Sequence, residues 1–362
     1  MNHRERLFTA LGLKEPDRVP YFDYFDIEVV IKIGRLFKAD VPELKFAIDY
    51  SEDEIYRLYD AQFSFMKELD LDAVYQGFSS GEERISGADD LMKDRYGIVY
   101  RMSPHGEPFV VEGPVHNPED LSKLPEMAPQ ESDFSLLEYS RKAVPELAFF
   151  VGMGDPFKWS WRLLGGMEKL LMLYIDNPGF TLQLARKATD FLIKVMDMAI
   201  AKGADVIFMD GDLADNRSTY MSPGHYRKYI KPFYHELVAN AHKQGVPILK
   251  HTDGNMWPVL DDMMESGFDG FHPFEPGPMD IAEAKEYLKG KACVLGNIDC
   301  GRLLPFGTQE EVIEAVRETI RKVAAGGGYI LTSSNSIHPG CKPENVIAMF
   351  RAAKKYGTYP II

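Results

Sequence analysis

Eight short apolar runs, most of them leading directly into a helix-like stretch, constrain the fold of this chain more than any other feature. They start near residues 18, 71, 147, 205, 247, 268, 292 and 328. Strands that alternate with helices build a parallel sheet, and eight of them close into a barrel. The run Leu147-Ala148-Phe149-Phe150-Val151-Gly152 is apolar throughout, as expected of a strand covered on both faces. The expected fold class is therefore α/β, a (β/α)8 TIM barrel. An open doubly wound sheet is the alternative, but no glycine fingerprint of dinucleotide binding follows the first run.

One stretch breaks the beat. Segments 94–101 and 108–112 alternate around Ser103-Pro104-His105-Gly106, the pattern of a β-hairpin insertion between about 80 and 116. Ser51 followed by Glu54 has the spacing of a capping box and opens a helix toward Glu68. Further helices are expected over 3–12, 157–174, 178–202, 223–243, 258–266, 280–288 and 308–324, with another opening at Pro343. A barrel with an insertion accounts for all 362 residues, so a single domain over 1–362 is expected.

A formal net charge of -14 repels phosphate backbones and argues against a nucleic-acid partner. Cys293, Cys300 and Cys341 are the only cysteines and form no CxxC pair. That favours a reducing compartment over a disulfide framework, hence a cytoplasmic location. The first residues lead into a short amphipathic helix rather than a signal-peptide core. No apolar run approaches 18 residues, so no membrane span is expected.

In a barrel of this kind the chemistry sits at the carboxyl ends of the strands. The fourth run ends in Asp210, with Asp212 two residues on and therefore on the same side. The pair can orient a substrate, hold a metal or exchange protons; the plain alternative is an acidic capping loop. The fifth ends in His251-Thr252-Asp253, a set suited to Zn²⁺ or another divalent ion, or to general acid–base work. The sixth ends in His272-Pro273-Phe274-Glu275, the seventh in Asn297-Ile298-Asp299-Cys300 and the eighth in Ser333-Ser334-Asn335. Together they make a polar rim. Trp159 and Trp161, after the third run, either stack on a flat substrate or pad a helix.

The segment Glu15-Pro16-Asp17-Arg18-Val19-Pro20, the motifs Met221-Ser222-Pro223 and His251-Thr252-Asp253-Gly254-Asn255, and the tail from Gly326 to Asn345 resemble the uroporphyrinogen decarboxylase superfamily. The resemblance spans nearly the whole chain and implies the same barrel. It leaves the reaction open, because the superfamily includes decarboxylases and corrinoid-protein methyltransferases. The decarboxylases carry an arginine-rich loop after the first strand and an aspartate after the second. Here those stretches read Tyr21-Phe22-Asp23-Tyr24-Phe25-Asp26-Ile27-Glu28 and Tyr75-Gln76-Gly77-Phe78. An acidic loop repels a polycarboxylate. The zinc-dependent methyltransferases place a His and a Cys two residues apart after the fifth strand and another Cys after the eighth. His251 matches, whereas Asp253 and Asn335 stand at the thiolate positions.

The resemblance thus implies a methyltransferase moving a methyl group between a small methylated, most naturally methoxylated, substrate and a corrinoid on a partner protein. His251 and Asp253 are expected to activate the leaving group, with His272 and Asp210 also catalytic. Asp212, Asn335, Asn297, Tyr21, Tyr75 and Trp159 are expected to bind substrate. Zinc, where bound, would draw on His251, Asp253, Glu275 and Cys300. The expected partners are that substrate, the corrinoid protein and, in a homodimer, a second copy of the chain, with neither nucleic acid nor membrane. The alternatives are decarboxylation of a tetrapyrrole, with Arg162 or Arg217 supplying the missing arginine, and a corrinoid- or ligand-binding relative without catalysis.

Overall fold

The computed structural model describes residues 1–88, 90–103 and 108–361. Strand β1 (Ala73–Gly77) is followed by an insertion of four short strands, β2 (Glu83–Arg84), β3 (Leu91–Lys93), β4 (Val99–Met102) and β5 (Pro108–Glu112). The parallel series then resumes with β6 (Ala148–Gly152), β7 (Val206–Asp210), β8 (Ile248–His251), β9 (Gly270–His272), β10 (Cys293–Ile298) and β11 (Tyr329–Ser333). The seven parallel strands form one sheet in the order β1-β6-β7-β8-β9-β10-β11, and β2 to β5 form a separate antiparallel sheet. The expected hairpin is therefore real as β4 and β5, and two more strands extend it. Of its turn, Pro104, His105 and Gly106 lie outside the described residues.

The first expected strand, 18–22, is only a seam. Tyr21 bridges Leu331 in parallel, Leu331 N–H donates to the Pro20 carbonyl at 2.9 Å and Asp72 N–H to that of Tyr21 at 3.0 Å. The segment therefore runs between β11 and β1 and curls the sheet toward closure. Two residues keep it from a regular ladder. Pro20 has no N–H, and the N–H of Tyr21 is taken by the Asp72 carboxylate at 2.9 Å.

That last contact recurs at the amino end of the sheet. Asp205 accepts from Phe149 N–H at 3.0 Å and Asp269 from Ile248 N–H at 2.8 Å. An acidic residue just ahead of β1, β7 and β9 thus satisfies a backbone donor of the preceding segment, as buried backbone groups require.

The helices along the chain are α1 (His3–Leu11), α2 (Ile27–Leu36), α3 (Glu52–Leu69), α4 (Ser135–Ala143), α5 (Pro156–Leu164), α6 (Met167–Asp176) and α7 (Pro178–Ala201), then α8 (Pro223–Tyr229), α9 (Lys231–Lys243), α10 (Leu260–Ser266), α11 (Ile281–Tyr287), α12 (Leu303–Phe306), α13 (Gln309–Val323) and α14 (Pro343–Tyr356). Ser51 and Glu54 form the reciprocal capping box ahead of α3. The stretch expected as one helix over 157–174 is broken at Gly165, which takes φ 73° where glycine has no Cβ penalty. The one expected over 223–243 is broken ahead of Pro232, in the first turn of α9, where a continuing helix would need the missing N–H.

Leu7, Ala10 and Leu11 of α1 pack with Phe22, Ala73, Phe150, Leu249, Leu295 and Ile330 in the inner core. α1 thus caps the amino end of the barrel, each buried leucine stabilising by about 1.5–3 kcal/mol. The other end is left for chemistry. Among the described residues no helix is long and apolar enough to cross a membrane.

Candidate functional site

Parallel register lines up the strand ends. Asp210 of β7 pairs with His251 of β8, and His251 with His272 of β9. Side chains at one level on adjacent strands point to the same face. Here that face is the barrel interior, since Phe208 and Leu249, two residues below, belong to the inner core. The His251 and His272 rings stack at 5.0 Å with their Nδ1 atoms 2.7 Å apart, so one of the two nitrogens carries the proton between them.

The loops after β7 and β8 are zipped together. Thr252 Oγ1 accepts from Leu213 N–H at 2.9 Å, Asp212 Oδ1 from Asp253 N–H at 3.0 Å and the Asp215 carbonyl from Asn255 N–H at 2.8 Å. Gly254, at φ 78°, sits where a Cβ would meet that carbonyl oxygen at 2.4 Å. This zipper brings two carboxylates to one imidazole. His251 Nε2 lies 3.6 Å from Asp212 Oδ1 and 3.7 Å from Asp253 Oδ1. One donor atom from each of the three residues lies within 4.8 Å of the other two.

The electrostatics follow from this crowding. Burial, then the neighbouring Asp212 and Glu275 charges, push the Asp253 carboxyl up to about 8, against the hydrogen bond from Asn335. Its Oδ1 is buried without a hydrogen-bond partner, while Oδ2 accepts from Asn335 Nδ2. Burial holds the His251 ring below its ordinary range despite Asp212 and Asp210. His272 is lowered further by burial and by His251, against a hydrogen bond to the Ser333 backbone. His251 thus turns Nδ1 to His272 and Nε2 to the two acidic side chains.

Beside the cluster lies a cavity of about 380 Å³, lined by Tyr75, Phe78, Tyr100, Lys158, Trp159, Arg162 and Asp210 among others. Asp210 accepts from Gly154 N–H at 2.8 Å and pairs with Lys158. Burial opposes its ionisation, but Lys158 outweighs it and holds the carboxyl below the usual range. The cavity's other wall is the insertion sheet, through Tyr100, Met102 and Pro108. α5 is positioned by Asp155, fully buried, which caps it at Lys158 N–H and receives Lys250 Nζ at 2.8 Å and the Tyr234 hydroxyl.

The structure brings His251, Asp253, Asp212, Asp210, His272 and Asn335 together, and sets Tyr75 and Trp159 on the cavity wall. Trp159 also pads the fold, donating its indole N–H to the Met153 carbonyl at 3.0 Å and packing on Tyr96 and Phe191.

Asn297 gives one amide N–H to the Phe274 carbonyl at 2.7 Å. Three expectations need correction. Tyr21 points out of the barrel, its hydroxyl on the Leu69 carbonyl at 3.1 Å. Glu275 accepts from Gly254 N–H at 3.3 Å and Cys300 lies 3.3 Å from Ser334 Oγ, so neither joins the three-residue group. Burial pushes the Cys300 thiol up to about 12.

Two residues escaped the sequence reading. Lys158 neutralises Asp210. Tyr24 stacks on Tyr75 at 4.7 Å and donates to Asn335 Oδ1 at 3.0 Å. Counting by twos from the inward Phe22 would have found Tyr24 in place of Tyr21.

Comparison with known proteins agrees with the barrel fold. The uroporphyrinogen decarboxylase (URO-D) family profile matches residues 91–356. Uroporphyrinogen decarboxylase from Trichodesmium erythraeum is 27% identical over 257 residues, 68% of this chain and 70% of that protein. The enzyme of the same name from Thermus thermophilus is 27% identical over 245 residues, 66% of this chain and 69% of that one. A methyltransferase from Methanosarcina mazei shares the fold, with a TM-score of 0.76 over 98% of this chain and 99% of that one at 20% identity. Since the profile covers most of the sequence, from the insertion to the last helix, the chain belongs to the uroporphyrinogen decarboxylase family.

Proposed function

We propose that this chain is a methyltransferase that takes a methyl group from a small methoxylated compound and passes it to a corrinoid carried by a separate protein. One observation carries the reading: His251, Asp212 and Asp253 converge beside an aromatic cavity at a mouth poor in free arginine. In the reaction the methyl–oxygen bond breaks, the methyl goes to the acceptor, and the oxygen leaves with the electron pair and must gain a proton or a cation.

The cluster is fitted to that last requirement. An imidazole nitrogen and two carboxylate oxygens, one of them buried without a partner, suit a divalent cation such as zinc. Asp212, His251 and Asp253 would hold it. A bound cation would supply Lewis acidity at the leaving oxygen, and a reduced corrinoid would supply the nucleophile. His272 fixes which His251 nitrogen faces the carboxylates, and Tyr24 with Asn335 orients Asp253. Tyr75, Phe78, Tyr100 and Trp159 form the wall that keeps water from the reacting ether.

Decarboxylation of a tetrapyrrole is the second reading, favoured by the names of the curated relatives. Its substrate carries many carboxylates, yet Asp210, Asp212, Asp253 and Glu275 already surround the mouth. Arg217 is exposed and paired with Asp215 at 2.8 Å, which leaves Arg162 as the cavity's one arginine among the described residues.

The experiment mixes the purified chain, under anoxic conditions and with zinc, with 3-methoxybenzoate and free cob(I)alamin. Methylcobalamin and the demethylated phenol should appear in equal amounts, and His251→Ala should abolish both. Release of carbon dioxide from uroporphyrinogen without any methylation would replace this reading with the second.

A further inference from the structure

Among the described residues Arg162 is a cation without an anion. It stands on α5 one turn beyond Lys158, on the same helical face and about 6 Å further along the axis, and both line the cavity. Lys158 is matched by Asp210. Among the described residues Arg162 has no comparable partner, neither ion pair nor hydrogen bond, and its Nε is buried and unsatisfied.

Aromatic rings hold the guanidinium in place instead. It lies 5.7 Å from the ring centres of Tyr100 and Trp159, and 5.9 Å from that of Trp161, within cation–π range. Glu82, the other acid on the cavity wall, turns its carboxylate onto the Ser79 and Ser80 hydroxyls. A guanidinium has five donors in a planar fork shaped for a carboxylate, and leaving such donors unmade in a sheltered site costs stability.

We propose that Arg162 anchors the carboxylate of the substrate, so that the methyl donor is a one-ring aromatic acid. The cavity's 380 Å³ is at the small end of ligand sites, roughly 300–1,000 Å³, which favours a single ring over a macrocycle of four. The ring lies against Tyr75, Phe78 and Trp159, with the acid on Arg162 and the opposite edge toward Asp210 and, through the strand register, His251. The choice of reacting group rests on the methyl-transfer reading; the anchor does not.

Calorimetric titration of the full chain with 3-methoxybenzoate, benzoate and 3-methoxybenzamide separates the two. Both acids should bind at least tenfold more tightly than the amide. Arg162→Met should bring acid and amide within threefold, and Arg162→Lys should restore part of the preference, since a point charge replaces the fork. Equal affinity for acid and amide in the unaltered chain, retention of the preference in Arg162→Met, or no binding of any probe at millimolar concentration would overturn the anchor. Acid-selective binding with no methyl transfer from any methoxylated acid would keep the anchor and remove the transfer reading.

Discussion

Lys250 and Asp155 are both fully buried, and their pairing offers the sharpest test of how the site is held. Lys250→Met keeps most of the side-chain volume and removes the charge. Asp155 would retain the Tyr234 hydroxyl and Lys158 N–H but lose its only cation within ion-pair distance among the described residues. Breaking a buried pair costs about 3–5 kcal/mol, and the surviving hydrogen bonds place this loss near 3. The Gly211 carbonyl also loses its 2.6 Å bond from Lys250, worth about 1 kcal/mol. A total near 4 kcal/mol lowers the Tm by roughly 8 °C at about 2 °C per kcal/mol, the large-protein end of the scale. Thermal unfolding followed by circular dichroism measures it. Adding Asp155→Asn removes the stranded charge and should recover about half of the loss. A Tm change below 2 °C in the single variant, or a double variant no better than the single, would refute the argument. Because Asp155 caps α5, the same variant should weaken acid-over-amide discrimination at Arg162.

Asp23, buried against Ser333 and Tyr24, is pushed up to about 7 by desolvation despite hydrogen bonds from both residues. A raised carboxyl contributes stability that is complete below its ordinary value near 4 and lost as pH rises through 7, at most about 4 kcal/mol. Asp23→Asn should therefore gain stability relative to the unaltered chain between pH 5 and pH 9; a Tm difference that stays constant over that range would contradict this. At the cluster, calorimetry with zinc should show binding that Asp253→Asn weakens at least tenfold and His251→Ala abolishes. Binding untouched by both variants would place the ion elsewhere.

The strand beat was legible because the runs are mostly apolar and bounded by glycine, proline or acid. The convergence of His251, Asp210 and His272 was legible for the same reason, since strand ends in parallel register share a level. What failed was parity and pairing. Tyr21 looked like a lining residue because 18–22 reads as a strand, but Pro20 and Asp72 make it a seam whose inward positions are Phe22 and Tyr24. Lys158 was hidden because its partner lies 52 residues away, and no local pattern announces such a pair. Cys300 sits at the right strand end but faces Ser334, a competition only three-dimensional packing decides.

The second sheet shapes the chamber's outer wall. The groups proposed to react all stand on the barrel, whereas Tyr100, Met102 and Pro108 reach the chamber from outside it. Substitutions at those three positions would therefore alter the shape of the chamber without touching His251, Asp212 or Asp253.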